Sequence, residues 1–105
     1  MTSNPEDVAQ LIKALHDENW RARRTAAKAL GKLGPQAKEA VPHLIDALKD
    51  ENTSLRWAVV NALGAMGADA KEAIPTLQHV SHDWLSRQVA LEALHKIDPE
   101  RFSKP

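Results

Sequence analysis

Two histidine–aspartate pairs are the residues of this sequence best suited to holding a metal ion. His16-Asp17 and His82-Asp83 each set an imidazole beside a carboxylate, and divalent transition metals accept both ligands. A metal site needs its ligands to converge within roughly 2.0–2.2 Å of one ion. The pairs stand two repeats apart in the pattern described below, and packed helices are spaced about 8–10 Å apart, which separates the pairs by ~20 Å. Lys49, at the position between them, is not an equivalent ligand, so we expect no metal.

Nucleophilic catalysis has no clear basis in the sequence either. Cysteine is absent, which excludes a thiol nucleophile, a thiolate metal site and disulfides. No serine stands at a recognisable nucleophile turn. We therefore predict a protein that is not an enzyme and that carries no cofactor.

Overall charge and hydropathy limit the classes of partner that we expect this protein to bind. Lys+Arg and Asp+Glu number 14 each, so the formal net charge is zero and provides no long-range field for nucleic acid or an anionic membrane. No segment approaches the ~20 apolar residues that span a bilayer. The N-terminal stretch MTSNPEDVAQ lacks the basic region and apolar run of a signal peptide. We expect a cytoplasmic protein that does not bind membranes.

Arginine and aspartate recur at a fixed spacing along the chain. Each arginine follows its aspartate by six residues, or by four in the last case. A row of exposed arginines could bind anions, but positions repeated in every unit usually serve stacking. We predict that these side chains join neighbouring units through carboxylates and loop carbonyls. The arginines are Arg23, Arg56 and Arg87, and the aspartates are Asp17, Asp50 and Asp83.

Polar residues at equivalent positions of the second helices form three rows across the predicted stack. Two interpretations stay open: a solvated polar face, or a binding groove of mixed charge. The rows are Gln10, His43 and Thr76; Lys13, Asp46 and His79; and His16, Lys49 and His82.

A basic stripe and three tryptophans complete the candidate surfaces. Arg21, Arg24, Lys28 and Lys32 fall on one side of a predicted helix and could grip a nucleic-acid backbone, but a solvated face is favoured. Trp20, Trp57 and Trp84 occupy three different repeat positions. Trp57 is predicted on the outward face of its helix, where an exposed indole would be a candidate for a protein interface or a weak homodimer.

These residues must be positioned by a repeat of 33 residues. Leu30-Gly31 returns as Leu63-Gly64, and the sequence AKEA at 37–40 returns unchanged at 70–73. Apolar positions at helical spacing predict first helices over 20–33, 53–66 and 84–97. They predict second helices over 38–49 and 71–82, with a copy at 6–17. Because proline is tolerated only in the first helical turn, residues 36–40 could form a separate turn before a helix that begins near Val41.

The repeat resembles the HEAT-like repeats, and the subtype resembles the phycobilisome-lyase HEAT-like repeat. The resemblance rests on RxxAxxALGxLG from Arg23 to Gly34 and on AVPxLIxALxDE from Ala40 to Glu51, and it covers about 8–98. It implies an all-α, right-handed superhelix. We expect about six helices, and the chain departs from the family's typical pattern by having half repeats at both ends. The resemblance places the second helices on the concave side, where partners usually dock.

We therefore expect a single domain over 1–105 that binds another protein through the concave face or an exposed Trp57 patch. Its units are expected at about 6–19, 20–51, 52–83 and 84–98, followed by a tail over 99–105. Three alternatives stay open: a bilin-lyase or chaperone-type subunit, an engineered or consensus-derived scaffold, and a nucleic-acid backbone binder. The identity of the partner is beyond the sequence, and the chain is expected to be a monomer or a weak homodimer.

Overall fold

The computed structural model describes residues 5–79 and 84–103, and the side chains of 7–79 and 87–103. The described residues contain helices and no strands. In chain order they form α1 (Pro5–Ala14), α2 (Trp20–Leu33), α3 (Val41–Ala47), α4 (Thr53–Met66), α5 (Ile74–His79) and α6 (Trp84–Ile97). The all-α prediction is confirmed. The predicted number of about six is reached only by counting two short helices, α3 and α5, because only four helices reach ten residues.

The three first helices have the predicted bounds, and capping residues mark the ends of two of them, α2 and α4. The side-chain oxygen of Asn19 accepts the N–H of Arg21 at 2.9 Å, and that of Asn52 accepts the N–H of Leu55 at 2.9 Å. At the other end, Gly34 and Gly67 adopt φ values of 61° and 60°, a conformation that side-chain-bearing residues avoid. Asparagine and glycine therefore fix the start and the end of α2 and α4.

The predicted second helices over 38–49 and 71–82 are wrong in their first part. A 3₁₀ segment, Gly34–Ala40, precedes α3, and a second one, Gly67–Ala73, precedes α5. Pro42 lies in the first turn of α3, where its missing N–H costs nothing. The anticipated turn before Val41 is therefore confirmed. The helix predicted over 6–17 ends earlier, at Ala14, and a single turn carries the chain on to Asp17.

The first helices pack side by side, with α4 between α2 and α6, and the 3₁₀ segments and short helices form a second layer. Leu30, Leu63 and Leu44 are fully buried between these layers. Two further glycines permit the close approach of the first helices. A Cβ at Gly31 would lie 3.1 Å from Ala62 Cα, and one at Gly64 would lie 3.2 Å from Ala93 Cα.

The last unit ends differently from the two before it. His95 and Asp98 stand where the earlier units have glycine, as the sequence shows. The chain turns after α6 with the N–H of Phe102 donating to the backbone oxygen of Asp98 at 3.0 Å. His95 Nδ1 lies 2.9 Å from the backbone oxygen of Phe102, which holds the segment 98–102 against the end of α6. Within the described part of the chain, no helix is long and apolar enough to cross a bilayer.

Candidate functional site

A groove of about 410 Å³ opens where the end of α1, α3 and the loop before α4 meet. It is called the His16–His43 groove below. Its floor is apolar and its rim is charged, so it could hold one or two side chains of a partner. The lining residues are Leu15, His16, Asp17, Arg23, His43, Asp46, Ala47, Lys49, Asp50 and Leu55.

Arg23 builds one wall of the groove and joins two repeat units. Its Nη1 donates to the backbone oxygens of Asp17 at 2.7 Å and Glu18 at 3.1 Å, both in the turn before its own helix. Its Nη2 pairs at 3.1 Å with Asp50 Oδ2, which lies at the end of the same unit as Arg23. Arg23 Nε is buried with no hydrogen-bond partner among the described residues. The guanidinium is thus fixed by contacts on both sides of a repeat junction.

Arg56 makes equivalent contacts with the turn before α4. Its Nη1 donates to the backbone oxygens of Asp50 at 3.0 Å and Glu51 at 3.2 Å. Asp83 is the residue equivalent to Asp50 at the end of this unit, and it lies outside the described residues. Arg87 is exposed, unlike the partly buried Arg23 and Arg56. The contacts of the first two arginines are of the kind that the repeated spacing predicts.

Asp17 and Asp50, two of the three recurring aspartates, also shape their own turns. Asp17 Oδ1 accepts the N–H of Asn19 at 2.8 Å, and Asp50 Oδ1 accepts the N–H of Asn52 at 2.8 Å. Each aspartate therefore orients the asparagine that caps the next helix. This role was not predicted, although aspartate recurs two residues before asparagine in both units and that order was the available signal.

Two imidazoles meet at the mouth of the groove. His16 Nε2 lies 3.4 Å from His43 Nδ1, and the rings stand at 77° with their centroids 5.6 Å apart. This contact joins the turn after α1 to α3, which are 27 residues apart in sequence. No group of three or more histidine, cysteine, aspartate or glutamate side chains is arranged to hold a metal in the parts of the chain described. The second predicted pair, His82-Asp83, is outside those parts.

The structure brings together only some of the predicted rows. His43, Asp46 and Lys49 line the groove beside His16. Asp46 and Lys49 pair at 3.4 Å, but their side chains are 64% and 80% exposed, so the pair adds little stability. The remaining row members stand apart: Gln10 and Lys13 are exposed on α1, Thr76 is partly buried and His79 is exposed on α5, and His82 lies outside the described residues.

The prediction of an exposed Trp57 is wrong, because the structure leaves this residue partly buried on α4. Trp57 also makes an interaction within the chain. An indole is large, so it can lie against neighbouring residues and be partly buried even on the outward side of a helix. Trp20 is partly buried as well, with the guanidinium of Arg21 placed 4.8 Å from its ring centroid. The side chain of Trp84 lies outside the described set.

Comparison with known protein families matches residues 8–95 to HEAT repeats. The chain belongs to the HEAT-repeat family. The match spans most of the 105 residues and includes every element that lines the His16–His43 groove. Among curated proteins, the comparison finds no match.

The HEAT-repeat register shows which surface positions differ between the repeats of this chain. Arg21, Lys28 and Lys32 of the basic stripe are exposed on α2, and Arg24 is partly buried. Their counterparts in α4 are uncharged, so the stripe is not a feature of every repeat. It lies away from the groove, since none of its members is among the lining residues.

A second groove, of about 640 Å³, was missed by the sequence analysis. It lies between α6 (Gln88, Leu91, Glu92 and His95) and residues 101–103, and it is called the C-terminal groove below. Leu91 is 46% exposed on its edge. The available signal was the repeat register, because Leu91 is equivalent to Ala27 and Val60, which are buried in the earlier units.

Proposed function

We propose that this HEAT-repeat chain is a non-catalytic scaffold that binds a protein partner through the His16–His43 groove and the second-helix surface around it. HEAT repeats commonly act as protein-interaction scaffolds, which supports the class of function. The fold alone leaves the binding face open, because one fold serves many functions. The choice of face therefore rests on the groove itself.

The observation that supports this face is the gathering of residues that do not repeat. Positions shared by every unit, such as Arg23 and Arg56, are used for contacts between units and within turns. His43, Asp46 and Lys49 differ from their counterparts in the other units, yet they collect beside His16 around one concavity. In solenoids, variable surface positions carry recognition while repeated positions carry stacking.

The chemistry of the groove favours a polar peptide segment of mixed charge. Asp46 and Lys49 supply both signs of charge on the rim, and the two imidazoles supply donors and acceptors. Leu15, Ala47 and Leu55 supply an apolar floor. A partner loop that places one apolar side chain on this floor and polar groups on the rim would match the groove.

The proposal is tested by affinity capture from nuclease-treated lysate of the source organism, with the bound proteins quantified by mass spectrometry. The groove variant carries His43→Ala with Lys49→Glu, and the matched control carries Lys28→Glu with Lys32→Glu on the basic stripe. We expect one stoichiometric protein that the wild type and the control retain and the groove variant loses. Retention by the groove variant together with loss by the control would contradict the proposal and place binding on the stripe.

Three narrower assignments are proposals as well. The phycobilisome-lyase subtype predicts a phycobiliprotein among the captured proteins. The right-handed superhelix predicts that the second-helix layer is its concave side. A cytoplasmic location agrees with the lack of a membrane-spanning helix in the described residues.

A further inference from the structure

The end of the helix stack carries an apolar surface that the repeat register would normally bury. Ala27 of α2 is 0% exposed and Val60 of α4 is 2% exposed, because each faces the next first helix. Leu91 of α6 holds the equivalent position and is 46% exposed. A leucine that is exposed at a stacking position offers an apolar contact surface at this end of the stack.

A further helix could not pack on α6 as closely as α4 packs on α2 and as α6 packs on α4. Close packing there requires glycine, since a Cβ at Gly31 or Gly64 would meet the next helix at 3.1–3.2 Å. His95 occupies the corresponding place in α6, and it holds the backbone of Phe102 at 2.9 Å. The turn 98–102 and the imidazole therefore keep any new helix farther from α6, and this leaves the C-terminal groove.

The rim of this groove is self-complementary in charge. Glu92 stands on α6, and Arg101 stands across the groove with its guanidinium 5.0 Å from the ring centroid of Phe102. Because Leu91, Glu92 and Arg101 line the same groove, a two-fold contact that brings the two Leu91 side chains together allows Glu92 of each copy to pair with Arg101 of the other. Such an isologous contact makes every favourable pair twice.

From these observations we propose that the C-terminal groove is a homodimer interface, in which Leu91 of each copy enters the groove of the other. The molecule measures 39 × 27 × 19 Å, so an end face is smaller than the roughly 800 Å² per partner of a standard interface. The dimer is accordingly weak and forms at micromolar concentrations or above. This interface is separate from the His16–His43 groove and does not depend on the function proposed there.

Sedimentation equilibrium over a wide range of protein concentration tests the proposal. We expect a monomer–dimer equilibrium in the wild type. Leu91→Glu should raise the dissociation constant by about tenfold or more, because it places two carboxylates in the centre of the contact. Ala9→Glu, on an exposed position of α1, is the matched control and should leave the constant unchanged. Circular dichroism establishes that each variant keeps its helices.

Charge exchange distinguishes this interface from non-specific association. Glu92→Arg or Arg101→Glu alone should weaken the dimer, and the two together should restore it, because the double variant again pairs opposite charges across the axis. A wild type that stays monomeric at all concentrations would overturn the proposal. So would a dimer that survives Leu91→Glu, or a double variant no stronger than the single ones.

Discussion

Arg23 and Arg56 show how an arginine at the same repeat position joins neighbouring units of the stack. Both guanidinium groups bind backbone oxygens of the preceding unit, in the turn before their helix, and Arg23 also pairs with Asp50 at the end of its own unit. The side chains of Arg23 and Asp50 are 21% and 27% exposed, so solvent screens their attraction only in part. Removing the guanidinium leaves carbonyls with one bond fewer, which costs more than the loss of a surface ion pair.

We therefore predict that Arg23→Ala lowers the free energy of unfolding by about 1–2 kcal/mol. Lys28→Ala, which removes an exposed charge from the same helix, should change it by less than about 0.5 kcal/mol. Urea denaturation followed by circular dichroism measures both values. Equal effects of the two substitutions would mean that the contacts of Arg23 add nothing to the free energy of unfolding beyond the effect of its charge.

The sequence predicted residue-scale features that repeat and missed those that do not. The spacing of Arg23 and Arg56 from their aspartates was visible because it recurs in each unit. The proximity of His16 and His43 was not predictable, since it depends on how the turn after α1 meets α3. The partial burial of Trp57 was likewise invisible, because helical periodicity gives the direction of a side chain and not what covers it.

At the scale of the element, the close pairing of first helices depends on glycine. Gly64 approaches Ala93 so closely that an added Cβ would lie 3.2 Å from a backbone atom, which cannot rotate away. Alanine in place of a helical glycine gains up to about 1 kcal/mol in helix propensity, and overpacking costs about 1–3 kcal/mol. The cost of overpacking should exceed the gain in helix propensity, because α4 and α6 would have to separate.

Gly64→Ala should accordingly destabilise the protein by about 1 kcal/mol. Asn61→Ala, at an exposed position of the same helix, should be neutral or slightly stabilising because alanine is the better helix former. Thermal unfolding of both variants checks the difference. A stabilising Gly64→Ala would show that α4 and α6 are not in close contact at this point.

Element bounds were predictable wherever a local signal marked them. Asparagine and glycine marked the ends of α2 and α4, and proline marked the start of α3. The 3₁₀ conformation of Gly34–Ala40 and Gly67–Ala73 was not predicted, because alanine, lysine and glutamate favour an α-helix on their own. Packing between the two layers overrides that preference.

At the scale of the whole molecule, stability should be highest in the middle of the stack. Eight of the 14 residues of α4 are buried, against three of the 14 in α2. Since each repeat contacts only its neighbours, α4 is supported from two sides and α1 from one. Local opening should therefore begin at the ends.

Amide hydrogen exchange checks this gradient. We expect the slowest exchange in α4 and markedly faster exchange in α1, because α1 can open without exposing the central core. Exchange that is equally slow in α1 and α4 would contradict a repeat-wise stack and indicate one cooperative unit.

The measurement that most directly tests the proposed binding face is an NMR titration of the ¹⁵N-labelled chain with the captured partner. If the partner binds the His16–His43 groove, we expect the largest amide shifts at 15–17 and 43–50. The amide shifts of the basic-stripe residues in α2 should stay unchanged. Shifts confined to the basic stripe, or to the C-terminal groove, would contradict the account and assign recognition to another face of the HEAT-repeat stack.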